Sequence, residues 1–120
     1  MTESFYDGYV EAMNFTDVHP DNPKLHAAEG FSNKLLEQMK KDCDKFEVDN
    51  ADALAEYYAT CLDAGESRAG CDFWLTRNNH GAGFWSRRLP CDLGDRLTKA
   101  AKAFRSVDLY VGDDNMIYGS

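Results

Sequence analysis

The chain has 120 residues, of which 43% are hydrophobic and 12% aromatic, and its formal net charge is −8. That length fits one domain, residues 1–120, and the composition is too apolar for a disordered chain. No apolar run is long enough to span a bilayer, and an acidic chain of this kind repels a phosphate backbone, so neither membrane insertion nor direct nucleic-acid binding is expected.

The first residues, Met-Thr-Glu-Ser-Phe-Tyr-Asp, lack the basic and apolar regions of a secretory leader, so a cytoplasmic protein is expected. A first helix starts at Ser4, which can cap it, with Asp7 near the positive end of its dipole. Phe5, Tyr6, Tyr9, Val10 and Met13 recur at helical spacing up to about Asn14. Gly8 weakens this helix by roughly 1 kcal/mol relative to alanine. Pro20 and Pro23 then predict a loop over residues 16–31, interrupted by a short helical turn around Lys24–Glu29.

Ser32 is the expected cap of a second helix, whose apolar line is Leu35, Leu36, Met39, Cys43 and Phe46. Asn50 is a candidate cap for a third, with Leu54, Tyr57, Tyr58, Cys61 and Leu62 on its apolar side. Neither Gly nor Pro separates the two, so one long helix with a soft joint at Val48–Asn50 is an alternative. Gly65 ends it, and Gly70 falls in the connection that follows.

Residues 71–88 hold both tryptophans, Trp74 and Trp85. Cys71, Phe73 and Leu75 alternate with Asp72, Trp74 and Thr76, which predicts a strand. Asn78-Asn79-His80-Gly81 is turn chemistry, and Ala82–Arg87 would be the returning arm. The apolar set, Phe73 included, would face the core and leave Trp74 on the outer face. Pro90 and Asp92 introduce a last helix with Leu93, Leu97, Ala100, Ala101 and Phe104 along one side. Val107, Leu109 and Val111 alternate as a strand, Gly112-Asp113-Asp114-Asn115 turns, and Met116–Tyr118 returns as an exposed edge strand. The expected fold is α+β: a small, mostly antiparallel sheet of two hairpins packed against three to four helices. An acidic helical half (1–66) precedes a hairpin–helix–hairpin half (67–120).

Charge follows that division. Residues 1–66 carry 15 acidic and 5 basic side chains, and residues 67–120 carry 6 and 8. Such a balance keeps a protein soluble, and it also draws a basic protein surface toward the first half. Asp42, Asp44, Glu47, Asp49, Asp52 and Glu56 form an acidic face. Carboxylates along a helix can imitate the phosphates of a duplex, although Lys40, Lys41 and Lys45 interrupt this row, and an ordinary solvated face is the simpler reading. Cys43, Cys61, Cys71 and Cys91 include no Cys-x-x-Cys pair, so reduced thiols are expected, with no metal site and no cofactor.

Tryptophan and arginine are enriched where proteins bind one another. The candidate binding residues are therefore Trp74, Arg77, Asn79, His80, Trp85 and Arg87. The competing reading makes one tryptophan core and pairs the arginines with acidic helices. His80, beside Asp72 or Asn79, is the weak candidate for a general base in a small hydrolase or nucleotide-acting enzyme. A solvent-exposed turn histidine is the plainer alternative. No nucleophile elbow, zinc-binding helix or phosphate-binding glycine loop accompanies it.

The run Asp72-Phe-Trp-Leu-Thr-Arg-Asn-Asn-His-Gly-Ala-Gly-Phe-Trp-Ser-Arg87 resembles a family of small phage-encoded proteins of unassigned function. Leu97-Thr-Lys-Ala-Ala-Lys-Ala103 and Val107-Asp-Leu-Tyr-Val-Gly-Asp-Asp114 extend the resemblance over the last part of the chain. Ser86 stands where that family carries aspartate, which removes a carboxylate from the pattern. The resemblance implies a phage or prophage origin and a bacterial host cytoplasm, and it carries no catalytic residues. The expected function is that of an accessory protein that binds a host protein as inhibitor or modulator. An acidic DNA mimic and an enzyme centred on His80 are the alternatives.

Overall fold

The computed structural model describes residues 3–61, 65–87, 89 and 92–120. Leu62, Pro90 and Cys91, which entered the expectations above, lie outside the described residues, as does Arg88. The chain runs α1 (Glu3–Thr16), α2 (Pro23–His26), β1 (Gly30–Phe31), α3 (Asn33–Asp49), α4 (Ala51–Thr60) and α5 (Glu66–Arg77). A 3₁₀ turn (Phe84–Ser86), α6 (Leu93–Lys102), β2 (Leu109–Val111) and β3 (Met116–Gly119) follow. The class is α+β.

The first helices form where the apolar spacing places them. In α1, Phe5, Tyr9, Ala12 and Met13 are buried along one line. In α3 the buried line is Leu35, Met39, Cys43 and Phe46, and the Ser32 hydroxyl accepts from the Leu35 amide at 3.1 Å, which caps the helix. α3 and α4 are separate helices. Asn50 leaves the helical region (φ −120°, ψ 26°), and its side-chain amide donates back to the Phe46 carbonyl at 3.0 Å.

The first expected hairpin does not exist. Residues 66–77 are a helix, and Gly70 lies inside it rather than in a connection. Alternation misleads here because α5 is buried nearly all round: Ala69, Gly70, Asp72, Phe73, Trp74, Thr76 and Arg77 are all enclosed. A helix that buries its polar residues together with its apolar ones carries no clean amphipathic period. The Asn-Asn signal is real but ends a helix. Asn79 adopts a left-handed φ of 58°, its amide donates to the Thr76 carbonyl at 3.2 Å, and the His80 amide donates to Leu75 at 3.0 Å. Phe84 then sits in the 3₁₀ turn and not on a strand.

α5 packs chiefly on α1. The approach is close because both helices present glycine: a Cβ at Gly8 would overlap the Ser67 carbonyl, and one at Gly70 would overlap that of Phe5. Phe46 and Phe73 stack at 4.2 Å between centroids, and Tyr9 meets Trp74 edge-on at 5.3 Å. Leu93, Leu97 and Ala101 of α6, with Ile117 of β3, complete the same core.

The sheet has three strands in the order β1-β3-β2 and is mixed. β2 and β3 form the second expected hairpin, with Tyr110 opposite Tyr118. β1 pairs in parallel with β3, Gly30 opposite Met116 and Phe31 opposite Ile117. Met116–Tyr118 therefore lies in the middle strand and is no edge. β1 falls inside the expected loop because two residues are too few to show alternation.

Candidate functional site

The structure divides the 72–87 motif into parts that build the fold and parts that face outward. Asp72 is fully buried and bound by Arg87, Nη2 to Oδ1 at 2.7 Å and Nε to Oδ2 at 3.0 Å. Tyr57 donates its hydroxyl to the same carboxylate at 2.9 Å. Burial, and then the neighbouring Asp72 charge, push the Tyr57 hydroxyl well above its ordinary range, and the hydrogen bond to Asp72 raises Arg87.

Trp74 is 0% exposed and donates its indole N–H to Thr16 Oγ1 at 2.9 Å. The outward Trp74 expected from the strand reading is thus a core residue. Arg77 is 4% exposed. Its guanidinium donates to the carbonyls of Phe104 and Arg105, both at 2.9 Å, to the Tyr9 hydroxyl at 3.2 Å and to Asp42 at 2.8 Å. It ties the segment just after α6 to α5 and uses four of its five N–H donors in doing so. Asn78 accepts from the Val107 amide at 2.8 Å, and Thr76 accepts from the Phe84 amide at 3.1 Å. Asn79 supplies the left-handed helix stop. Ser86 closes its own turn, accepting from the Gly83 amide at 3.0 Å.

Of the expected binding residues, then, Trp74, Arg77 and Arg87 hold the fold, Asn79 and Trp85 are exposed, and His80 is half-buried with its Nε2 enclosed. Trp85 is 50% exposed. His80 places Nε2 3.4 Å from Asp17 Oδ1, too poorly aligned for a hydrogen bond. Asp72 is not its partner, being held by Arg87 and Tyr57.

The acidic face is scattered in its engagements. Asp42 pairs with Arg77 at 2.8 Å, Asp49 with Lys45 at 2.7 Å and Glu56 with Arg96 at 3.5 Å. Asp44 and Asp52 are exposed and Glu47 is half-buried. The bend at Asn50 splits the six residues between two helices. Among the described residues no three His, Cys, Asp or Glu side chains converge to hold a metal ion, and no helix is long and apolar enough to cross a membrane.

A groove of about 880 Å³ runs between α1 and α5 and ends at the loop His80-Gly81-Ala82. Its apolar lining includes Ala12, Phe15, Cys71, Leu75 and Ala82, with Glu11 and Arg68 on the walls. Phe15 is 76% exposed, the most of the large apolar side chains described. It stands off the Phe5–Tyr9–Met13 line, and an aromatic on the polar side of an amphipathic helix is the sequence signal that marks it. Cys71 shares the groove with His80, but burial, and then Asp72, push its thiol up, opposite to what a thiolate nucleophile needs.

The fold and groove define an α+β domain with a two-helix surface trough. No family model, no curated protein and no solved structure matches this chain.

Proposed function

We propose that this chain is a phage-encoded accessory protein that acts by binding a host protein, as its inhibitor or modulator. The observation that carries the reading is Phe15, 76% exposed at the rim of the groove. Beside the apolar groove it makes a contiguous exposed apolar surface, the kind that marks a protein-binding site. The motif supports it by subtraction. Asp72, Thr76 and Arg77 are satisfied within the fold, and His80 is placed beside Asp17. Phage origin rests on the resemblance of residues 72–87 to the family described above.

The test is capture from a bacterial host lysate with wild-type protein and with Phe15→Ala. The variant should fold as the wild type does and lose the captured protein. Recovery of the same protein in the same amount by both would refute the reading. Trp74→Ala and Arg77→Ala are unsuitable probes, because both would disturb the core.

A further inference from the structure

We infer that the α1–α5 groove receives an amphipathic helix with a basic flank; this rests on the protein-binding reading and names the chemistry of the partner. The groove is made of two helical lines. α1 contributes Gly8, Glu11, Ala12 and Phe15, and α5 contributes Arg68, Cys71 and Leu75. These offsets are those of one face on each helix, so the trough follows the helix axes. Gly8 to Phe15 spans roughly 10 Å of axis, about two turns of a helix laid alongside.

Backbone chemistry selects a helix over an extended segment. Among the described residues no strand borders the groove, so its walls give an extended peptide no ladder for its amides and carbonyls. A helix satisfies those groups internally and lays only side chains on Ala12, Cys71 and Leu75. The small side chains at Ala12 and Ser67 let its axis come close.

Charge selects the flank. Glu3, Asp7 and Glu11 follow one another every four residues on the exposed side of α1, and the next step along that line is Phe15. Among the described residues none of the three carboxylates is engaged in an ion pair, and neither is Arg68 on the opposite wall. An occupant with lysine or arginine toward α1, and no positive charge toward Arg68, complements both walls.

The experiment uses two synthetic helical peptides that share leucines at i, i+3, i+4 and i+7. One carries lysines along a flank and the other glutamates. Binding to the full chain is read by fluorescence anisotropy of the labelled peptide. The lysine peptide should bind, and the glutamate peptide should bind about 10-fold or more weakly. Glu11→Lys and Phe15→Ala should each weaken the lysine peptide by about 10-fold, while Asp52→Lys, on α4, leaves it unchanged. Melting curves of the three variants should match the wild type, since all three side chains are exposed.

Equal binding of the two peptides, no binding of either, or an Asp52→Lys effect as large as that of Glu11→Lys overturns the inference. So does a dimer in sedimentation that Phe15→Ala dissociates, since a second copy would then be the occupant. If the peptides fail while Phe15→Ala still loses the captured host protein, protein binding stands and the helical occupant falls. If Phe15→Ala changes no capture, the function reading itself falls.

Discussion

Arg87 closes on Asp72 through two hydrogen bonds, 2.7 Å and 3.0 Å, across a turn that separates them by fifteen positions. The carboxylate is wholly buried and the guanidinium about a quarter exposed, so the pair fastens the end of the 78–87 segment to the middle of α5. Removing Arg87 leaves a buried charge with, among the described residues, the Tyr57 hydroxyl to serve it. Arg87→Ala should therefore lose about 3–5 kcal/mol, whereas an Asp72→Leu, Arg87→Met double variant should lose much less. Urea unfolding of the two variants decides it; equal losses would mean that the charge is not the cause.

The two tryptophans report on opposite environments. Trp74 is enclosed and Trp85 is half exposed. With Trp85→Phe the remaining emission should be blue-shifted and resistant to acrylamide. With Trp74→Phe it should be red-shifted and readily quenched. The reverse pattern would restore the outward-facing Trp74 of a hairpin.

Glycine substitutions should divide by position. Gly94 lies within α6, where a Cβ would meet ordinary contacts, the nearest being the Phe84 carbonyl at 3.5 Å. Gly94→Ala should stabilise by about 0.5–1 kcal/mol through helix propensity. Gly8→Ala, by the same propensity argument, would also gain. Here the new Cβ collides with the Ser67 backbone, so α1 and α5 must separate and stability should fall. Thermal melts of the two variants should shift in opposite directions, and a rise for both would contradict the close crossing.

Alkaline pH should unfold the protein. Burial raises the hydroxyls of Tyr9, Tyr57 and Tyr58 above 10.0 and the thiol of Cys43 above 9.0. Each group keeps its proton in the fold and loses it first in the unfolded chain. Their contribution is therefore complete below the unfolded values and is lost as pH rises past them, by about 1.4 kcal/mol per pH unit for each group. Stability should be level through neutrality and fall from about pH 9 upward. Tyrosinate absorbance appearing on a chain whose melting temperature has not dropped would break this link.

The parts of the fold that sequence reveals are those with one wet face. Ser32 and the Leu35–Met39–Cys43–Phe46 line of α3 are such a case, as is the β2–β3 hairpin with its Gly112–Asn115 turn. α5 is opaque for the opposite reason. Its polar residues Asp72, Thr76 and Arg77 are buried, and only their distant partners Arg87, Phe84 and Asp42 explain why. Nothing local distinguishes such a helix from an alternating strand. The same blindness affected the site. Trp74 and Arg77 have the composition of an interface but are consumed by the core, while Phe15 and Leu75, far apart in sequence, meet only through the Gly8–Gly70 crossing.

The placement of Met116–Gly119 between its two neighbours has a consequence for synthesis. Gly30–Phe31 and Leu109–Val111 are both translated before the strand that joins them. The early segment must wait on the ribosome with its ladder groups turned to water, and helices α1 to α5 can assemble around their aromatic cluster meanwhile. Ribosome-bound chains stalled before Met116 should therefore be open to proteolysis around Gly30 while the helical part already resists it.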